Sequence, residues 1–193
     1  MGIIKKLFGY EEMQSSYNQT ITHIFVLVHP YCDFGMYTLP EQHVKFKKLW
    51  EQSIKDASAD SGCFAVLYLN DRGKNPTIEE VRKMYLPEDE LNIAELIHAF
   101  FGRERYLFIA AMNLYFPGLV RHPSIDGRFD SETVEVSIRG VYADRCVDDA
   151  KKGIRDAYGI PPEHITILYE ESVFAEKKFA DEHGFLDNLL KRT

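Results

Sequence analysis

His23-Ile24-Phe25-Val26-Leu27-Val28, stopped by His29-Pro30, is a continuous apolar run rich in β-branched residues. A strand without polar alternation must be covered on both faces, the pattern of a parallel sheet flanked by helices. Cys63-Phe64-Ala65-Val66-Leu67-Tyr68-Leu69 and residues 106–112 repeat it. Between the first two runs, Pro40–Ala59 spaces Val44, Phe46, Leu49, Trp50 and Ile54 among charges. That spacing predicts a helix of roughly five turns, with Pro40 suited to its first turn. After the second run, Asn70 to Pro76 reads as a loop. Thr77 with Glu80 then forms a capping box that opens a helix running to Tyr85. Pro87 breaks it, and Glu88–Phe101 reads as another helix.

The C-terminal half continues the alternation. Residues 115–131, with Pro117, Gly118, Pro123 and Gly127, read as a long irregular stretch, a length usually associated with function or mobility. Residues 133–142 form a fourth strand. Val134, Val136 and Ile138 point one way and Glu135, Ser137 and Arg139 the other, so one face there is expected to be wet or near an edge. A helix over 144–158 ends at Gly159, a C-cap position. Residues 165–169 make a fifth strand, and 174–190 a final helix.

Strands alternating with helices at this spacing predict right-handed crossovers. The expected fold is α/β and Rossmann-like. It has three layers, an open, mostly parallel sheet of about five to six strands and helices on both faces. Residues 1–20 are read as an N-terminal arm or short helix, and 21–193 as a single α/β domain.

The 193 residues are 45% hydrophobic and 27% charged, ordinary globular usage. With 23 Lys and Arg against 30 Asp and Glu the net charge is −7. This argues against a general nucleic-acid binder, which needs clustered positive charge. No apolar stretch approaches the roughly 20 residues of a transmembrane segment. The apolar run near Met1 is too short for a signal peptide. Cys32, Cys63 and Cys146 form no CxxC pair, which suits a reducing, cytoplasmic compartment and no structural zinc. There is no GxGxxG after the first strand, no GxxxxGK[ST] and no GxSxG, so dinucleotide, P-loop and serine-hydrolase sites are disfavoured and no cofactor is expected.

Ligands of such sheets bind beyond the carboxyl ends of strands. Those ends hold His29, Cys32 and Asp33; Asn70 and Asp71; Arg121, His122, Asp126 and Arg128; Tyr142 to Cys146; and Glu170-Glu171. Cys146 falls near the expected start of a helix, where unpaired N–H groups and the dipole favour a thiolate. Its plain alternative is a small buried hydrophobe packing that helix on the sheet. His29, Cys32 and Asp33 have metal-ligand types without a recognised ligand spacing, so no metal is expected. The 121–128 charges read either as an anion clamp or, more simply, as a solvated loop. Glu170-Glu171 read as helix-start charge. Tyr37, Tyr85, Tyr106, Tyr115, Phe116 and Phe129 are candidates for an interface, although buried aromatics are the commoner case.

Gly140-Val141-Tyr142-Ala143-Asp144-Arg145-Cys146-Val147, with Ala150 following, resembles the nucleophile segment of the isochorismatase-like cysteine hydrolases. The strand over residues 25–28, then Asp33-Phe34-Gly35 and Leu39-Pro40, is similar to that family's opening strand and its Asp-Phe pair. The resemblance covers about a third of the chain. It implies hydrolysis of a small amide or related compound by a Cys146 nucleophile, in a homo-oligomer. Family members use a Cys–Asp–Lys triad. Here His29 stands where the aspartate belongs, and Arg103 and Arg105 occupy the neighbourhood of the lysine. The implied site is therefore Cys146 with His29 as base. Backbone N–H groups of Ala143 to Cys146 would hold an oxyanion, and Arg145, Asp33 or Asp71 would serve binding. The alternative is a non-catalytic α/β domain that binds a protein partner or small ligand.

Overall fold

The computed structural model describes residues 19–30, 40–70, 75–110 and 122–173, without the side chains of 40–43 and 144. Among the described residues, five strands form one all-parallel sheet: β1 (His23–Val28), β2 (Cys63–Leu69), β3 (Tyr106–Ala110), β4 (Glu135–Val141) and β5 (Ile165–Val173). Their order is β3-β2-β1-β4-β5. The helices are α1 (Pro40–Ala59), α2 (Ile78–Val81), α3 (Glu88–Phe101) and α4 (Asp148–Tyr158).

Local chemistry accounts for the boundaries. Thr77 and Glu80 make the reciprocal capping box before α2, which ends at Val81, earlier than its sequence pattern suggests. Pro87 caps α3, and Gly159 ends α4 with φ 67°, the left-handed geometry glycine adopts without strain. The final helix expected over 174–190 lies outside the described residues.

Ile24, Val26 and Val28 of β1 belong to one buried cluster, while Phe25 and Leu27 belong to another. Alternate residues of a strand face opposite sides of the sheet, so the two clusters are its two faces. Ala150 and Ile154 of α4 join the first. Phe46, Trp50 and Ile54 of α1 join the second, with Ile93, Ala94, Ile97 and Phe101 of α3. The strand order requires this division. The chain moves outward from β1 to β3, then returns past β1 to β4 and β5, and right-handed crossovers in opposite directions put their helices on opposite faces.

β4 and β5 depart from the sequence reading. β4 lies between β1 and β5, so its polar face is not an edge. β5 runs on to Val173 with a large bulge: Ile138 pairs with Ile167, but Gly140 pairs with Ser172. Four residues of β5 therefore stand opposite Arg139 alone. The Ser172 hydroxyl secures the bulge, accepting from Gly140 N at 3.2 Å and donating to Leu168 O at 2.8 Å. Glu170 and Glu171 are thus bulge residues, and the helix-start reading is corrected.

Candidate functional site at the switch point of the sheet

β1 and β4 are neighbours in space although two strands separate them in sequence, and their carboxyl ends form the crevice where doubly wound sheets bind ligands. Val28 pairs with Gly140. Gly140 has φ 136°, and a Cβ there would stand 2.1 Å from the Val28 carbonyl oxygen. Only glycine lets the two strands close at this point.

Among the described residues, two non-glycine residues have positive φ: His29 at 45° and Tyr142 at 61°. They follow β1 and β4 directly. Such backbone costs on the order of 1–3 kcal/mol and tends to collect at ligand sites. His29 is buried, and its N–H donates to Tyr68 O at 3.0 Å, extending the ladder by one bond. Tyr68 is fully buried, and burial followed by the nearby Tyr158 phenol holds its own phenol protonated. Tyr68 belongs to the same cluster as Val28 and Cys146.

Beyond Tyr142 the chain enters a π-turn, Ala143–Val147, before α4 begins at Asp148. Single π-turns are rare and frequently functional. Both Arg145 N and Val147 N donate to the Tyr142 carbonyl, at 2.9 and 3.2 Å. The Arg145 amide, expected to face an oxyanion, is thus spent inside the turn. Cys146 lies in this turn and not at the start of the α-helix expected over 144–158. It is 2% exposed and shares the apolar cluster of Val28, Ile138, Val147 and Ala150. Ala143 is also buried, and Arg145 is exposed. The topology brings His29 and the Cys146 turn to one edge of adjacent strands. Cys32, Asp33, Asp71 and Arg121 lie outside the described residues.

No known family model, curated protein or solved structure matches the chain.

A second thiol and histidine do meet, at the opposite end of the sheet. Cys63 Sγ is 3.6 Å from His23 Nδ1, each opening its strand. His23 Nε2 is 2.8 Å from Ser137 Oγ, which accepts from Arg139 Nη2 at 3.0 Å. Arg139 Nε stands 2.9 Å from Glu171 Oε2, which accepts from Ser53 Oγ at 2.6 Å. The Arg139–Glu171 contact is a charge pair rather than an aligned hydrogen bond, since Nε and Nη1 have no well-directed acceptor among the described residues. The guanidinium also sits 4.1 Å over the Phe25 ring. This is the face of β4 that alternation marks as wet. Glu135 is exposed as expected and Ser137 half-buried, but Arg139 is buried, held by the bulge that brings Glu171 to it. Burial and then Asp60 push the Cys63 thiol up to about 12, so it remains a thiol. Burial and then the Arg139 cation lower His23, which remains neutral at pH 7.

The other candidates resolve more simply. Arg128 Nη1 donates to Ser124 O at 2.8 Å and Glu104 O at 3.2 Å, and His122 Nδ1 accepts from Ser124 N at 3.2 Å. These side chains hold their own loop. Tyr106 stacks against Phe108, Phe129 meets Tyr158, and Tyr85 is fully exposed. Tyr37, Tyr115 and Phe116 lie outside the described residues. Among the described residues, no three His, Cys, Asp or Glu side chains gather to hold a metal ion. No described helix is long and apolar enough to cross a membrane.

Proposed function

We propose that this chain is a ligand-binding α/β domain of isochorismatase-like design. It takes a small molecule in the crevice between the carboxyl ends of β1 and β4, with Cys146 as a packing residue. The observation that carries this is the burial of Cys146 among Val28, Ile138, Val147 and Ala150 beneath two strained residues, His29 and Tyr142. The strain supports a site, and the buried sulfur supports binding over nucleophilic attack. Cys63 and Cys146 are in no disulfide, in keeping with a reducing compartment.

One observation favours a second reading, a cysteine hydrolase of small amides. Cys146 sits in a π-turn one strand away from His29, a base suited to a thiol. One experiment separates the two. The native protein is treated with iodoacetamide near pH 7 and the sites of labelling are mapped, and a small-amide turnover screen is run on wild type and Cys146→Ala. In parallel, fragment binding is followed by amide NMR. The binding reading expects no native labelling of Cys146, no Cys146-dependent turnover, and fragment shifts at Gly140 to Ala143 that persist in Cys146→Ala. Rapid labelling with turnover lost in Cys146→Ala would establish the hydrolase. No fragment shifts at this edge would overturn the binding reading.

A further inference from the structure

A separate cavity of about 420 Å³ lies beside β3, the edge strand of the sheet among the described residues. Its volume is inside the range of small-molecule sites, roughly 300–1,000 Å³. β2 separates β3 from β1, so this cavity is distinct from the switch-point crevice. Pro76, Ile78, Leu107 and Phe108 supply apolar wall. Arg103 and Glu79 also line the cavity, with Arg103 Nη2 3.7 Å from Glu79 Oε1. Both side chains are more than half exposed, at 81% and 55%.

An exposed ion pair at that separation contributes little to stability, so parting it costs little. Once parted, it presents one exposed cation and one exposed anion at the mouth of an apolar hollow. A molecule with a single charge satisfies one of them and leaves the other opposed by its own partner only. A molecule with a carboxylate and an ammonium on the same carbon replaces one weak pair with two charge-assisted contacts. Its apolar side chain would then fill the wall side of the cavity. His122 adds to the lining: its Nδ1 accepts from Ser124 N, which leaves Nε2 as the protonated donor nitrogen.

We propose that this cavity binds a free α-amino acid with a large apolar side chain, its carboxylate on Arg103 and its ammonium on Glu79. The test uses the full chain, ¹⁵N-labelled, titrated with L-phenylalanine, 3-phenylpropanoate (carboxylate only) and phenethylamine (ammonium only). Saturable amide shifts are expected at Asn75, Thr77 to Glu79 and Tyr106 to Phe108 with phenylalanine, and each single-charge analogue should bind at least fivefold more weakly. Arg103→Gln and Glu79→Gln should each weaken phenylalanine at least fivefold, while Lys152→Gln on α4 leaves it unchanged. Absence of saturable shifts, an analogue within fivefold of phenylalanine, or a loss in only one of the two rim variants would overturn the proposal.

Discussion

The two ends of the sheet each hold a buried cysteine and a buried or half-buried histidine, and they do different things. At the amino end, Cys63 and His23 touch, yet the thiol is pushed up to about 12 and the imidazole stays neutral. No described residue there has positive φ outside glycine, and the side chains continue through Ser137 and Arg139 to Glu171 in the β5 bulge. At the carboxyl end, His29 and Tyr142 are strained and Gly140 is irreplaceable, while Cys146 packs into the core. The proposed site is therefore placed where strained backbone meets the crossing of the strand order, since a stable sheet holds costly backbone only where surrounding structure fixes it, and not where reactive residue types touch.

The largest effect is expected at Gly140. Gly140→Ala drives a Cβ onto the Val28 carbonyl. We expect a loss of at least about 3 kcal/mol in chemical denaturation, or failure to fold. A change below about 1 kcal/mol would mean that β1 and β4 can part there freely.

The amino-end network comes next. Arg139→Ala leaves Glu171 without its cation and removes the contact with Phe25. Breaking such a buried pair should cost about 3 kcal/mol, read from the urea midpoint. Cys63→Ala should cost only about 1 kcal/mol, since it removes one small buried group from the cluster.

His29→Asn sharpens the contrast from the other side. Asparagine tolerates the left-handed region better than most residues, so stability should stay within about 1 kcal/mol of wild type. Fragment shifts at Gly140 to Ala143 should nonetheless weaken or vanish. A large stability loss with binding intact would make His29 a structural residue.

The smallest effect is pH dependence at the amino end. Burial and Arg139 hold His23 below its ordinary 6.5. The unfolded chain therefore takes up this proton at a higher pH than the folded one. The stability contributed is complete above 6.5 and lost as pH falls through the lower folded value. His122 is lowered by burial too and acts in the same direction. His23→Gln should flatten the decline of the urea midpoint between pH 7 and 5 without abolishing it. An unchanged slope would show that His23 is not held neutral by the fold.

Much of the frame was legible in the residues themselves. The uninterrupted apolar run of β1 requires cover on both faces, and Pro87 and Gly159 mark helix ends by geometry that no other contact needs to supply. What stayed hidden depends on register. Ser137 and Arg139 alternate like a wet face, and only the β5 bulge, a property of two strands together, brings Glu171 to the buried Arg139. Cys63 and His23 lie forty residues apart and meet because β1 and β2 pair from their first residues. The π-turn at Ala143–Val147 has no local signal that separates it from the α-helix after it. His29 was legible as a strand-end residue, while its strained backbone was not.

The central claim is that the carboxyl edge of β1 and β4 binds ligand without using its sulfur. The direct measurement is the alkylation rate of Cys146 in the folded protein near pH 7, compared with the unfolded chain and with His29→Asn. We predict that the folded state protects Cys146 by at least a hundredfold and that His29→Asn does not slow the reaction. Alkylation at or above the unfolded rate, slowed by removing His29, would contradict the account and make Cys146 a nucleophile.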